Sequence, residues 1–290
     1  MRFSYIIFRF TVGLCSALPF RLIYVFSALM RFVLYRIIRY RRKVVQQNID
    51  NAFPDKTYAE KKKIIKEFYH NLCDIFVEGI KGFAMNNKQL KQRYSFKNSE
   101  ILNSYFNKKQ SLIAVGSHYA NWEWGIMAAP LQLQHKLIAF YTPLTNPFID
   151  RYVKRNRDKF GTRLVSTTEV RRAFSNQDST PAIWFFGADQ SPSNIKGVHW
   201  LTFLNQDTAC NKGPEFFSRL YDLPVIYFDV QRVKKGYYEV EVIVLEEHSK
   251  STKNGDITEK YYGTLESIIN RNPAHYLWSH RRWKHKRKEQ

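Results

Sequence analysis

Four short apolar runs, 111–116, 137–141, 182–188 and 224–231, constrain the fold of this chain more than any other feature. Between them lie helical patterns at about 146–159, 168–177 and 213–221. Runs this short and this uniformly apolar suit strands buried on both faces. Their alternation with helices predicts an α/β fold with a mixed, mostly parallel sheet flanked by helices. Lys234-Lys235-Gly236 is expected to turn a hairpin into a further strand at 237–245. Upstream, residues 44–94 are patterned as helices. Thr57-Tyr58-Ala59-Glu60 has the form of a capping box, and Ile64, Ile65, Phe68, Leu72, Ile75 and Phe76 continue it as one apolar stripe. Asp74 and Glu78 fall at the polar edges of that stripe.

The first apolar run ends in Gly116-Ser117-His118, and Ile126–Ala129 resumes as helix before Pro130. His118 and Glu123 therefore sit where a strand hands over to a helix, a common place for ligand sites in α/β folds. A carboxylate five residues on can fold back onto one imidazole nitrogen, leaving the other to take a proton from a hydroxyl. Alone, the spacing is common enough to arise from a surface histidine and an unrelated glutamate. The run 182–188 ends similarly at Asp189-Gln190-Ser191-Pro192, where Asp189 either orients Arg157 or another donor, or only caps a turn. Between them, Arg151, Lys154, Arg155 and Asp158 share one helix face, a solvated basic surface or a holder of phosphates. Residues 203–213 form a polar loop whose amides, at the start of the next helix, can face an anion.

Charge narrows the partners. The chain of 290 residues carries a formal net charge of +21, which calls for nucleic acid, an anionic membrane face or a phosphorylated substrate. Residues 3–38 are apolar and lack acidic side chains, but Arg9, Arg21, Arg31 and Arg36 interrupt them, with Pro19 in the middle. The longest uncharged stretch, 10–20, is shorter than the ~20 residues of a spanning helix. A helical hairpin or amphipathic segments in the interface fit better, followed by the basic run 39–43. Residues 1–43 are thus expected to be a membrane anchor on one domain, 44–290, with a helical lead-in over 44–94 and an α/β core with a basic C-terminal tail over 95–290. Cys15, Cys73 and Cys210 are dispersed and odd in number, which fits a reducing compartment rather than a disulfide framework or zinc site. The motifs of nucleotide hydrolysis and serine hydrolysis do not occur.

The order of these motifs resembles the late acyltransferases of lipid A biosynthesis, within the lysophospholipid acyltransferase superfamily. The resemblance rests on the basic apolar N-terminus, His118-x4-Glu123, Asn146-Pro147-Phe148-Ile149-Asp150 leading to Arg157, Asp189-Gln190, the Thr208–Gly213 loop, and Tyr276-Leu277-Trp278-Ser279-His280-Arg281-Arg282-Trp283-Lys284. It implies transfer of a fatty acyl group from acyl carrier protein to a hydroxyl of a phosphorylated lipid acceptor, at the cytoplasmic face of the inner membrane. His118 would be the base and Glu123 its orienting partner. Arg157 and Asp189 would position the thioester or stabilise the oxyanion. Asn121, Arg155, Arg163, Gln190, Thr208, Lys212, Arg281 and Arg282 are the residues expected at the substrate. No metal or organic cofactor is implied, because the thioester is already activated, and a monomer is expected. Trp122 and Trp124 flank Glu123 where smaller or aliphatic residues are common in the family, which leaves acyl length and acceptor open. The nearest rival is an O-acyltransferase of a lyso-glycerolipid or amino-acid lipid using the same His118 chemistry. A nucleic-acid-binding or purely membrane-binding protein would explain the charge but leaves His118 and Glu123 without a purpose.

Overall fold

Burial of the apolar runs decides the architecture. The computed structural model describes residues 1–176 and 179–287. In chain order the helical half comprises α1 (Arg2–Ala17), α2 (Phe20–Phe32), α3 (Arg42–Ala52), α4 (Tyr58–Gly82) and α5 (Asn87–Arg93). Then follow β1 (Tyr94–Phe96), α6 (Glu100–Asn107), β2 (Leu112–Gly116), α7 (Trp122–Ala128), β3 (Lys136–Tyr141), α8 (Pro147–Lys159), β4 (Thr162–Ser166), α9 (Val170–Ser175) and β5 (Ala182–Gly187). The chain continues through β6 (His199–Phe203), β7 (Gln206–Cys210), α10 (Gly213–Tyr221), β8 (Val225–Lys234), β9 (Tyr237–Glu246) and α11 (Asp256–Arg271).

Seven strands form one sheet in the order β1-β9-β8-β2-β5-β3-β4, parallel throughout except for the β8–β9 hairpin. The expected mixed, mostly parallel sheet flanked by helices is therefore observed. β2 lies at its centre and every residue of it is buried. The register pairs Leu112 with Ile183 and Gly116 with Gly187, so β2 and β5 end level. Gly116 is required there: a Cβ would fall 2.7 Å from the Phe185 ring.

Some elements escaped the sequence patterns. β4 is an edge strand that alternates buried Leu164 with exposed Arg163, so it lacks a continuous apolar run. The stretch expected to be a polar loop, 203–213, instead holds one arm of the β6–β7 hairpin. Leu204 and Asn205 turn it at φ of 50° and 60°, as a two-residue type I′ loop requires, without the glycine that usually signals one. α11 was not anticipated, although Ile257, Tyr261, Leu265 and Ile268 recur at helical spacing and are buried. The helix expected over 168–177 is observed as Val170–Ser175; its expected last residue, like the end of the C-terminal tail, lies outside the described residues.

The N-terminal segment forms two helices that meet at Pro19. Among the described residues no helix is long and apolar enough to cross a membrane. Pro19 ends the first helix by removing a backbone donor and fixing φ, and α1 and α2 each pack on α4. Buried Lys81 of α4 donates to the carbonyls of Cys15, Ser16 and Leu18, satisfying the C-terminal end of α1. The capping box at Thr57 and Glu60 starts α4 as expected. Asp74 and Glu78, however, are fully buried rather than at its polar edge. Arg232 of β8 pairs with Asp74 at 2.7 Å, while Tyr24, Tyr238 and Asn121 all donate to Glu78.

Candidate active site

Register builds the site. His118 stands two residues beyond Gly116 and Asp189 two beyond Gly187, and those glycines are paired across β2 and β5. The two side chains therefore emerge together at the C-terminal edge of the sheet, where open α/β folds place ligands. His118 Nδ1 lies 2.7 Å from Asp189 Oδ1, and the His118 backbone N–H donates to Asp189 Oδ2 at 3.0 Å. Each strand end is also tethered from α11: Tyr261 donates to the Gly116 carbonyl and Tyr262 to that of Ala188, both at 3.0 Å.

The position expected for Glu123 is thus held by Asp189. Glu123, in the first turn of α7, instead forms an ion pair with Arg157 of α8. The reason is local: Asn121 caps α7 through the Trp124 backbone N–H, so Glu123 leaves on the helix side while His118 remains on the strand end. Arg157 is buried and also donates to Met127 Sδ and Asn156 Oδ1, both at 2.9 Å. The suggested Asp189–Arg157 contact is not formed. Each acid takes the partner that sequence reasoning had given to the other.

These contacts tune the imidazole. Burial disfavours its charged form, but the Asp189 carboxylate, its hydrogen bond and the charge of Glu123 outweigh this and raise the pKa above 6.5. For Asp189, burial alone would raise the pKa, yet His118 and the nearby Arg282 hold it below the usual carboxylate value. With Nδ1–H donating to Asp189, the Nε2 lone pair points outward. The Gln190 amide meets it at 3.0 Å, and the Trp122 ring stands edge-on to the imidazole at 4.9 Å. His118 keeps 23 % of its side-chain surface open against 2 % for Asp189. An accessible base backed by a sealed carboxylate can accept a proton from a bound hydroxyl.

A model of the bacterial lipid A biosynthesis acyltransferases matches residues 2–285. The chain belongs to that family. It is therefore an acyltransferase. Among its relatives, the lipid A biosynthesis palmitoleoyltransferase of Escherichia coli K12 is 21 % identical over 85 % of this chain and 80 % of its own length. The lauroyltransferase of the same organism is 20 % identical over 92 % and 87 %.

In this acyltransferase the residues expected at the substrate divide into two groups. Arg155 and Arg163 are exposed, and Arg163 lines a basic hollow of about 380 Å³ with Lys154 and Arg172. Arg281 lines a larger hollow, about 770 Å³, with Lys284, Lys286 and Arg287. Lys212 stands at the start of α10, and Gln190 is at His118 itself. Asn121, Thr208 and Arg282, by contrast, are buried and bonded to other parts of the fold. Asn121 joins the α7 cap to Glu78, and Thr208 accepts from the Trp283 indole. Arg282 donates to the hydroxyl of Tyr262, the residue that tethers Ala188 beside Asp189.

The C-terminal segment is a structural wall rather than a free tail. Tyr276 bridges to Tyr119, and Leu277 N–H donates to the His118 carbonyl at 3.1 Å. His280 Nε2 accepts from the Ser191 backbone N–H, and burial pushes its pKa down to about 4, so it stays a neutral acceptor. Sequence reasoning missed Glu78, Tyr261 and Tyr262. A signal for the dyad was present: both central runs end in Gly-x followed by a titratable residue, Gly116-Ser117-His118 and Gly187-Ala188-Asp189.

Proposed function

We propose that this enzyme moves a fatty acyl group from a thioester on acyl carrier protein to a hydroxyl of a phosphorylated lipid A precursor, with His118 as general base. The observation that carries this reading is the His118–Asp189 dyad at the paired ends of β2 and β5. The incoming hydroxyl takes the place of the Gln190 amide at Nε2. Its proton passes to Nε2 while its oxygen bonds to the thioester carbon, and Asp189 stabilises the imidazolium. Collapse of the tetrahedral intermediate breaks the C–S bond, and the departing thiolate takes the proton back from Nε2. The displaced Gln190 amide and the Glu123–Arg157 pair flank the developing charge; Glu123 acts on His118 through its field rather than by a hydrogen bond. The thioester supplies the activation, so no metal or organic cofactor enters this scheme.

The surface suits such substrates. α1 and α2 expose Phe3, Ile6, Phe10, Val25, Leu29 and Phe32 among arginines. In our reading these helices lie in the interface of an anionic inner-membrane leaflet, with the arginines reaching lipid phosphates. The hollows around Arg163 and Arg281 offer guanidinium groups to an anionic headgroup or an acidic carrier.

The test is transfer of labelled acyl groups from acyl carrier protein in membranes containing wild type or His118→Ala. A lipid A precursor and a lyso-phospholipid compete as acceptors. Label on the precursor with wild type, reduced about 10³-fold or more in the variant, is the expected result. Label on the lyso-lipid would keep the base and overturn the acceptor. Transfer indifferent to His118 would overturn the mechanism.

A further inference from the structure

Sheet topology separates the helices into two layers. The connection from β3 through α8 to β4 steps outward along the sheet, while those from β4 through α9 to β5 and from β5 through α10 to β8 step back. Right-handed crossovers therefore place α8 on one face and α9 and α10 on the other. The packing agrees. Phe8 of α1 meets Tyr152 of α8 with ring centroids 5.5 Å apart, whereas Phe174 of α9 stacks on Phe217 of α10 at 4.6 Å. Helix α1, with its exposed apolar residues, thus belongs to the α8 layer, and α10 lies across the sheet from it.

Even so, α10 carries apolar side chains into solvent. Phe216, Leu220 and Tyr221 are exposed at i, i+4 and i+5, while Phe217 faces the core. Bases surround them. Lys212, Arg219 and Lys250 line a hollow of about 320 Å³ with Phe216 and Leu220, and the Arg171 guanidinium lies 5.5 Å over the Phe216 ring. Glu215, the acid of that lining, is buried and commits its oxygens to Gly255 and Thr258. An apolar centre inside a charged rim is the composition of a protein-binding surface. The larger basic hollows around Arg163 and Arg281 differ: among the described residues no large apolar side chain is exposed in either, which suits a hydrated anion rather than a folded partner.

We propose that the α9–α10 face docks the acidic carrier protein that delivers the acyl thioester, with its carboxylates on Arg171, Lys212, Arg219 and Lys250 around Phe216 and Leu220. The proposal rests on the carrier-thioester reading and adds to it the face by which the donor arrives. A lipid acceptor enters from the side of α1 and α2, and a water-soluble donor meets the enzyme on the opposite layer. The upper end of the face adjoins the base. A Cβ on Gly213, the first residue of α10, would lie 3.9 Å from the Phe186 ring, and one on Gly187, the next residue of that strand, 3.6 Å from His118 Cε1. A flexible thioester arm on a carrier seated at α10 therefore has only the end of β5 to cross. The basic rim steers the acidic partner, and the apolar centre holds it.

The experiment uses the full chain and holo acyl carrier protein without an acyl group, so that binding is read apart from chemistry. Binding is titrated for wild type, for Arg171→Glu with Lys250→Glu, and for Leu220→Ser. These side chains are exposed, so the melting temperatures should match wild type. We expect each variant to weaken carrier binding about tenfold, and wild-type affinity to fall with added salt. Initial rates are then compared for the acyl carrier thioester and for the same acyl group on pantetheine. The KM for the carrier thioester should rise about tenfold in the variants, with kcat and the KM values for the pantetheine thioester and the lipid acceptor unchanged. No carrier binding by wild type, binding indifferent to both variants, or an equal rise in KM for the pantetheine thioester would each overturn the proposal. If the carrier binds through α10 but no acyl group is transferred, the acyltransferase mechanism fails and the surface stands. If transfer needs His118 but is indifferent to the α10 variants, the surface fails and the mechanism stands.

Discussion

His118 has two acidic neighbours in physically different places. Asp189 comes from a strand end, is sealed from solvent, and accepts both the Nδ1 proton and the backbone N–H of the histidine. Glu123 comes from a helix start, remains 40 % open on its side chain, and is paired with a guanidinium. One is far in sequence and fixed by sheet register; the other is five residues away and directed elsewhere by its helix. Proximity in the chain favoured the wrong acid because a helix cap between the two residues rotates their side chains apart.

The comparison breaks most sharply at Asp189. Asp189→Asn keeps the shape but removes the charge and the acceptor that fix the imidazole tautomer. We expect kcat to fall about 10³–10⁴-fold. The pH profile gives a second readout. The base must be neutral, and Asp189 is the largest influence holding the His118 pKa above 6.5, so wild-type activity should rise with pH through a midpoint above that value. In Asp189→Asn, burial acts with less opposition and the midpoint should move to lower pH. A variant with unchanged midpoint would remove Asp189 from the dyad.

Next in size is a group that touches neither substrate nor His118. Glu78 accepts from Tyr24 of α2, Tyr238 of β9 and Asn121, and its backbone carbonyl accepts from the Trp124 indole at 2.9 Å. It therefore ties the N-terminal helices and the sheet to the cap of α7. Burial raises its carboxyl pKa, opposed by these donors and Arg232. Glu78→Ala leaves the Tyr24, Tyr238 and Asn121 donors without their acceptor, and should cost about 3 kcal/mol, or roughly 6–12 °C in melting temperature. A shift within about 2 °C would show that this network relaxes freely. The same raised pKa means Glu78 itself favours folding below its unfolded pKa, and that contribution is lost as pH rises through the folded value.

What the chain revealed before folding follows the same division. The four apolar strands, the hairpin after β8, the capping box at Thr57 and the location of His118 depend on local pattern, and each is found as expected. The pairing of His118 with Asp189 depends on which strands become neighbours, and no local pattern encodes that β5 rather than β3 lies beside β2. Glu78 looked like an edge position because the helix carrying it is covered on that side too, by α2 and the sheet. Arg282 looked like a phosphate ligand because basic runs are usually solvated, whereas this one residue of the run is folded back against Tyr262.

The smallest effect should come from Glu123, and it separates a field effect from a structural one. Glu123→Gln removes a charge that raises the His118 pKa less than Asp189 does, so the midpoint should move to lower pH by less than in Asp189→Asn. Activity should fall about 10-fold, less than the ~10²–10⁴-fold contributed by a group that transfers the proton itself. The substitution also strips the buried Arg157 of its carboxylate, which destabilises the fold. Replacing both, as Glu123→Gln with Arg157→Met, removes the uncompensated charge and should restore most of the melting temperature. If the pH midpoint stays low in this double variant, Glu123 acts on His118 through its charge. If the midpoint returns with the stability, the pair only braces α7 against α8, and Asp189 alone sets the base.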